Sequence, residues 1–424
     1  METDVKVFEL LQVHGIMAVT AITVQSTRGI KEVYPVSPEQ LASQIGWLKE
    51  DFDFRYAKLG MVYNSGQFKV VSEELSDKRL VVDTVIYAKD GTQLIKDLED
   101  YKRFILRKAF IVTPNALEAS MLTGIKVESL RDQEVVARAL HEMFSVPYVV
   151  VKGGHVKGEH SFDVVFDGKE FYEVGYPRIE QKNTHGTGSV FASAITAELT
   201  KGNDVRSAVE VARRLLQGSI LYGLEVGKGI GPVDPYFLLK DSMKYKVLEE
   251  MREFGDFVEG LECFWKLIPE VQSNFSHSVP PEYVRGLEDI ATFRGRIVRT
   301  WDRKVKVGYP AVFGYPTHTA RLLFSLTSMG VKAESLINIR YDERAIQLLR
   351  NLGYEAVEVN RELEPQHGEG KTMQWIVEHV VENYGKVPNV IYDRGMKGKE
   401  AMIRFWTSGV EEMKNSLEYL CREL

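Results

Sequence analysis

Gly186-Thr187-Gly188 stands directly before an apolar helical run that begins at Ser189. Glycines there let consecutive backbone N–H groups converge on one point, and the helix N-terminus adds partial positive charge. Such a turn can hold the charge on a phosphoryl group in transfer. Alone, it reads equally well as a glycine-rich helix entry. Three further motifs give it company. Thr113-Pro114-Asn115-Ala116-Leu117-Glu118 follows an apolar run and opens a helix. Asn115 and Glu118, three apart, share a helix face and can hold magnesium directly or through water. Val151-Lys152-Gly153-Gly154-His155 ends a strand and sets Lys152 at the carboxyl edge of a sheet, where open α/β folds bind ligands. Leu80-Val81-Val82 ends another strand in the carboxylate of Asp83.

The second half gathers basic and polar groups. Asn274-Phe275-Ser276-His277-Ser278 precedes Pro280-Pro281. Around Gly295–Arg299, period-two spacing sets Arg294 and Arg296 on one face of a strand and Arg299 on the other, absent a bulge. His318 stands near a helix start, with Arg321 one turn later. Asn338, Arg340 and Asp342 close a strand, and Lys371 precedes a helix. Asp393 and Arg394 close another strand, followed by Lys397, Lys399 and Glu400. Any one of these reads as a solvated loop charge. Together they place arginine forks and helix N-termini where a phosphate or diphosphate fits, with Asp342, Asp393 and Glu400 able to set magnesium against it.

The elements that must carry these groups follow an α/β pattern. Strand-like runs at 16–24, 56–62, 80–86, 109–112 and 148–151 alternate with helical segments at 67–75, 93–106, 116–122 and 135–144. Continuous apolar strands between amphipathic helices indicate a mainly parallel sheet covered on both faces. Asp167-Gly168 between two hydrophobic segments marks a hairpin. Helices are expected at about 189–199 and 205–224. The Gly- and Pro-dense segment 227–235 ends the pattern, and a connecting helix is expected over about 236–260. A second α/β unit follows, with strands at 296–299, 305–307, 335–339, 356–359 and 390–392 and helices at 319–328, 343–351, 372–384 and 410–423. The expected domains are 1–235 and 236–424.

Composition narrows the classes. The 424 residues are 44% hydrophobic and 27% charged, which suits folded domains rather than a disordered chain. A net charge of −6 gives no bulk attraction to nucleic acid or an anionic membrane. No apolar run approaches the roughly 20 residues of a membrane span. The opening METDVKVFELLQ is acidic and lacks the basic start of a signal peptide. Cys263 and Cys421 are the two cysteines, so a disulfide framework and a CxxC zinc site are excluded. A cytoplasmic protein with no nucleic-acid or membrane partner is expected, as a homo-oligomer.

The first-half motifs, with Thr20–Thr27 (TAITVQST), Lys58-Leu59-Gly60-Met61 and Leu122-Thr123-Gly124, resemble in order those of the hydroxymethylpyrimidine and phosphomethylpyrimidine kinases, a ribokinase-like family of thiamine synthesis. The resemblance covers about residues 1–235. It implies a three-layer sheet, ATP and Mg2+ as cofactors, and phosphorylation of hydroxymethylpyrimidine and then of its monophosphate. It places Gln25 and Met61 on the pyrimidine and Asp4 as a substrate-site acid. It also assigns Asp83, Asn115, Glu118 and Lys152 to nucleotide, magnesium and phosphate, and makes Gly186, Thr187 and Gly188 the anion hole. Ser189 stands where the family has Cys and related sugar kinases have Asp. A serine needs a partner to act as a base, and His185 is nearest in sequence. Ile230 stands where His is frequent. The family's first strand and covering loop are expected to be absent, the chain opening at the middle of that unit with Glu2–Lys6, and slow kinase turnover is expected.

Residues from about 245 to 424 resemble the archaeal-type thiamine-phosphate synthases, through VQSNFSHSVP, GRIVRT, HTAR, NIRYDE, GKTMQWI and IYDRG. The resemblance implies that hydroxymethylpyrimidine diphosphate and hydroxyethylthiazole phosphate are joined to thiamine phosphate. Arg296, Arg299 and Arg321 would hold the departing diphosphate, with His318 as hydrogen-bond donor. Asn338 and Arg340 would hold the second phosphate, Asp342 and Asp393 would serve magnesium, and Lys371, Arg394 and Lys399 would add substrate contacts. Two other classes are weighed. A thiamine-phosphate-sensing regulator lacks support, because no helix-turn-helix or basic stripe is present. A sugar or pyridoxal-type kinase with an unrelated tail fits Ser189 and the other motifs less well.

Overall fold

The structure is a computed structural model and describes residues 1–88, 90–155, 159–363, 372–396 and 398–424. The chain divides into two compact units, Met1–Leu238 and Leu239–Leu424.

The first unit opens with helix α1 (Glu2–Leu10), which buries Val7. Strands β1 (Ala21–Ser26) and β2 (Gly29–Pro35) pair antiparallel as a separate ribbon. The apolar run at 16–24 therefore does not join the main sheet as expected. Its β-branched residues favour a strand, but the short Thr27-Arg28 turn gives that strand its nearest partner, and Ile22 stays 64% exposed. Helix α2 (Pro38–Asp51), absent from the sequence expectations, starts on a capping box in which Ser37 and Gln40 exchange hydrogen bonds.

The main sheet then builds in chain order: β3 (Tyr56–Leu59), α3 (Ser65–Glu74), β4 (Arg79–Val82), α4 (Leu98–Phe104), β5 (Ala109–Val112), α5 (Ala116–Thr123), α6 (Leu130–Phe144) and β6 (Tyr148–Val151). Strands β3 to β6 are parallel neighbours. The hairpin β7 (His160–Phe166) and β8 (Phe171–Pro177) adds two antiparallel strands. Gly168 turns it at φ +88, a conformation glycine adopts without strain. Helices α7 (Thr187–Thr200) and α8 (Val205–Leu221) complete the unit. Alternate strand residues serve opposite layers. Val81, Ile111 and Val150 pack with α7 and α8, while Leu80, Val82, Val112, Val149 and Val151 pack with α3 to α6. Continuous apolar strands follow from this two-sided burial.

The second unit begins with α9 (Lys240–Gly260). It continues with β9 (Phe275–Ser278), β10 (Ile290–Phe293), β11 (Ile297–Arg299), β12 (Val305–Val307), β13 (Ala311–Phe313), α10 (His318–Ser328), β14 (Ser335–Arg340) and α11 (Glu343–Asn351). It ends with β15 (Ala356–Glu358), α12 (Thr372–Tyr384), β16 (Val390–Asp393), β17 (Met402–Thr407) and α13 (Val410–Glu423). The sheet runs β13-β10-β9-β14-β17-β16-β15, and among the described residues only β15 and β16 pair parallel. β11 and β12 form a separate ribbon. The alternation expected at 294–299 fails: Arg294–Arg296 is a turn, with Arg296 at φ +64. The cysteines do pair, Cys263 with Cys421, so one disulfide joins the turn after α9 to α13.

Candidate functional site

In the first unit, the strand order brings three of the motifs to one edge. β5 runs into Asn115, which bridges in parallel to Lys152 beyond β6. The Lys152 amide donates to the Pro114 carbonyl at 2.8 Å. The Lys152 ammonium lies 3.2 Å from Asp83 at the end of β4. A Cβ on Gly188 would stand 2.9 Å from an Asp83 oxygen, so only bare backbone fits between the helix start and that carboxylate. Gly186 caps α7 at φ +91 with no side-chain hydrogen bond, which leaves the first amides of the helix for an anion. A Cβ on Gly186 would also meet the Thr3 side chain at 3.2 Å.

Asn115 and Glu118 are not two open metal ligands. They form a capping box: the Asn115 oxygen accepts from the Glu118 amide at 3.0 Å, and Glu118 Oε2 accepts from the Asn115 amide at 2.8 Å. The Thr84 hydroxyl donates to the same Glu118 oxygen at 3.0 Å. Burial pushes the Glu118 carboxyl up; Lys152 opposes the shift and Asp83 adds to it. Burial works against the charge of Lys152, but Asp83 and Glu118 hold its pKa above that of an ordinary lysine. Among the described residues no three acids, histidines or cysteines gather as a metal cage. Two neighbouring carboxylates fit magnesium of the kind that takes its other ligands from water and phosphate.

Of the pyrimidine-side residues, Gln25 reaches His185, the residue before the Gly186 turn. Gln25 Nε2 is 3.3 Å from His185 Nε2, both side chains exposed. The Met61 carbonyl accepts from the Thr20 hydroxyl at 2.7 Å. Ser189 is half-buried with no side-chain hydrogen bond among the described residues. Asp4 is engaged within the unit. It pairs with Lys58 at 2.9 Å and accepts from Ser193 at 2.6 Å, tying α1 to β3 and α7. One positioning group had no sequence signal of its own. Asp163 on β7 accepts from the Gly153 amide at 3.0 Å and pairs with buried Arg213, which fixes the turn after Lys152.

In the second unit, His318 is the first residue of α10. A chain of hydroxyls seats that helix start on the sheet: Ser276 to Thr319 at 2.8 Å, Thr317 to Thr319 at 3.1 Å and Thr292 to Thr317 at 3.2 Å. Partial burial and the guanidiniums of Arg321, Arg404, Arg296 and Arg361 hold the His318 pKa below its ordinary value. Arg404 and Arg361 escaped the sequence reading. Arg404 is the one charge in the apolar strand Met402–Thr407, and it is buried. Asp393 fixes it at 2.7 Å and lies 3.8 Å from Arg361. Asp393 therefore orients arginines, and its other oxygen accepts from the Gly395 amide. Arg296 donates to the Val271 carbonyl at 2.6 Å, and Glu400 accepts from the Glu270 and Val271 amides.

The remaining sequence candidates are placed otherwise. Asn338 accepts from the Asn274 amide at 2.7 Å and donates to the Gln272 carbonyl at 3.1 Å, so it braces a loop rather than a phosphate. Arg340 lies 3.8 Å from Asp342, whose carboxylate caps α11. Arg394 pairs with Glu358 and Glu343 on the surface. Arg299 is exposed on β11, and exposed Lys399 pairs through its backbone with Met396. Lys371 lies outside the described residues.

Residues 1–234 match the phosphomethylpyrimidine kinase family. The chain belongs to that family. Residues 250–419 match the thiamine-phosphate synthase ThiN family, so this kinase family member carries a second transferase region. The chain is similar to the Bacillus subtilis hydroxymethylpyrimidine/phosphomethylpyrimidine kinase, 34% identical over 249 residues, 57% of this chain and 92% of that protein. It is similar along nearly its whole length to the bifunctional thiamine biosynthesis protein ThiDN of Methanocaldococcus jannaschii, 25% identical over 99% of this chain and 94% of that one. The pyridoxal kinase of Staphylococcus aureus in complex with ADP matches 55% of this chain and 87% of its own, at 29% identity and a TM-score of 0.51. Bifunctional organisation in thiamine biosynthesis and a ribokinase-like first unit follow from these matches. Among the described residues no helix is long and apolar enough to cross a membrane.

Proposed function

We propose that the first unit transfers the γ-phosphoryl of ATP to hydroxymethylpyrimidine and then to its monophosphate. We further propose that the second unit joins the resulting diphosphate to hydroxyethylthiazole phosphate. The observation that carries the kinase reading is the meeting of Asp83, Lys152 and the Gly188 backbone at one sheet edge. Lys152 would neutralise phosphate charge, and the open amides of α7 would receive the transferring group. Magnesium held by Asp83 and Glu118 would neutralise further phosphate charge. Phosphoryl transfer asks mainly for positioning and charge, so Ser189 in the family's cysteine position is compatible with turnover. Gln25 and His185, 3.3 Å apart, would meet the pyrimidine ring.

The synthase reading rests on the guanidiniums around His318. Loss of diphosphate leaves a resonance-stabilised pyrimidine cation, which the thiazole nitrogen captures. The protein's task is to stabilise the leaving group and exclude water. Arg296, Arg321, Arg361 and Arg404 would bind the diphosphate, and neutral His318 would donate one N–H to it.

The two readings separate in one experiment. Full-length protein is given hydroxymethylpyrimidine with ATP, or the pyrimidine diphosphate with the thiazole phosphate and no ATP. ADP and thiamine phosphate are measured. Pyrimidine-dependent ADP release and ATP-independent thiamine phosphate are expected. Absence of either product refutes the corresponding half. Because pyridoxal kinases share the fold of the first unit, pyridoxal is included as a second acceptor.

A further inference from the structure

The β1–β2 ribbon stands apart from the main sheet, and a two-stranded ribbon by itself is only marginally stable in water. Its place on the unit therefore depends on what holds its two ends. At the base, buried Gln67 donates through Nε2 to the Thr20 carbonyl at 2.7 Å and to the Val36 carbonyl at 2.9 Å. At the tip, the Thr27 hydroxyl accepts from the Lys228 amide at 3.2 Å and from the Gly229 amide at 3.1 Å. The Thr27 carbonyl accepts from the Ile230 amide at 2.9 Å. The approach is close enough to require glycine, since a Cβ on Gly229 would stand 2.0 Å from the Thr27 carbonyl oxygen. From the other strand, the Ile30 amide donates to Asp90 at 2.7 Å.

The turn that receives Thr27 is bonded in its continuation to the residue before Gly186. The Gly231 carbonyl accepts from the His185 amide, and the His185 carbonyl accepts from the Val233 amide, each at 3.0 Å. Buried Asn183 holds the Gly231 amide at 3.1 Å. The His185 ring in turn lies 3.3 Å from Gln25, two residues before Thr27. These contacts close a circuit: Thr27 to the 228–230 turn, that turn to His185, and His185 back to Gln25. Gln25 is exposed, and an exposed glutamine has many rotamers to lose, so its place beside His185 depends on where the ribbon tip is held.

We propose that Thr27 is a positioning residue for the pyrimidine, its hydroxyl locking the ribbon tip to the 228–230 turn so that Gln25 stays beside His185. The inference rests on the kinase reading of the first unit, in which those two side chains meet the acceptor. Thr27 itself touches neither substrate nor reacting atoms. Its contribution is preorganisation: without the lock, binding the acceptor must order the tip as well.

The test is the steady-state rate of ADP release by full-length protein with hydroxymethylpyrimidine, for the unaltered chain, Thr27→Val and Thr27→Ser. Melting temperature and ATP-independent thiamine phosphate formation are followed beside it. Valine keeps the shape of threonine, and the two amides it releases belong to exposed residues that water can reach, so the variant is expected to fold. Thr27→Val should raise the KM for hydroxymethylpyrimidine about tenfold, the loss of two modest hydrogen bonds, with kcat and the KM for ATP within about twofold. Thr27→Ser, which restores the hydroxyl, should return the pyrimidine KM to within about threefold of the unaltered value. Melting temperature and thiamine phosphate formation should not change. An unchanged pyrimidine KM in Thr27→Val overturns the inference, as does an equal rise in the KM for ATP or a serine variant no better than the valine. A lower melting temperature with parallel loss of both activities also overturns it, since the hydroxyl would then be supporting the fold. Each of those results leaves the kinase reading standing. If the unaltered protein releases no ADP with hydroxymethylpyrimidine, the kinase reading falls and this inference with it.

Discussion

Replacing Asp4 by Asn tests whether this carboxylate anchors a helix or binds substrate. Burial works against its charge, but Lys58, the chain's amino terminus and hydrogen bonds from Lys58 and Ser193 outweigh it and lower its pKa from 3.8 to about 2. A shift of nearly two units corresponds to about 2 kcal/mol of folded-state preference for the ionised form. The folded pKa is the lower one, so this stability is fully present above about pH 4 and is lost as the pH falls through about 2. Only 14% of the Asp4 side chain and 6% of Lys58 are exposed, so solvent screens the pair little. Amide hydrogen exchange in α1 reads the local effect. At pH 6, Asp4→Asn should speed exchange at Val7 and its neighbours by about 30-fold. The unaltered protein should lose α1 protection below pH 4, and the variant should lack that acid transition. The KM for hydroxymethylpyrimidine should change far less than the exchange rates. Exchange within twofold of the unaltered protein, with a strongly raised KM, would refute the anchoring argument and return Asp4 to the substrate.

Three other outcomes are expected. Lys152→Met should lower ADP release by about 100-fold or more while leaving thiamine phosphate formation unchanged, as measured in the two separate assays. The pH dependence of thiamine phosphate formation should show a transition as His318 protonates, with a midpoint below the ordinary histidine value of about 6.5, and Arg321→Gln should move that midpoint upward because it removes a nearby positive charge. Arg404→Gln should raise the KM for the pyrimidine diphosphate about tenfold or more and flatten its dependence on ionic strength; unchanged saturation curves would remove Arg404 from the site.

Much of the kinase edge was legible because its residues sit in local motifs at strand ends. Lys152 and Asp83 could be placed from the apolar runs that precede them, and the glycine turn from the helix that follows. What the motifs concealed was who uses each side chain. Asn115 and Glu118 have metal-ligand spacing, yet the same spacing is a capping box, and in the folded chain the box takes the Asn115 oxygen. Asn338 and Asp393 read as phosphate and metal groups at strand ends, but their partners, Gln272 and Asn274 for the first and Arg361 and Arg404 for the second, lie apart in sequence, which spacing does not reveal. Arg404 had a signal that went unread: a lone charge within Met402–Thr407, otherwise apolar enough to be buried. The β1 and β2 ribbon shows the same limit for strands, because propensity names a strand without naming its partner.

The position of β17 has a consequence for biosynthesis. It is near the end of the chain yet lies between β14 and β16 in the middle of its sheet. During translation the ribosome releases β9 to β16 first, and they wait with two inner edges unpaired until residue 407 emerges. Such edges are templates for pairing with another chain, and insertion of a central strand is a slow, non-local event. Arg404 travels on that strand, so the guanidinium set around His318 is completed only by the same insertion. A ribosome stalled before residue 402 would leave a partial sheet open to aggregation as well as an incomplete site. Expression of the second unit should therefore respond to chaperones and temperature far more sharply than its finished stability would suggest.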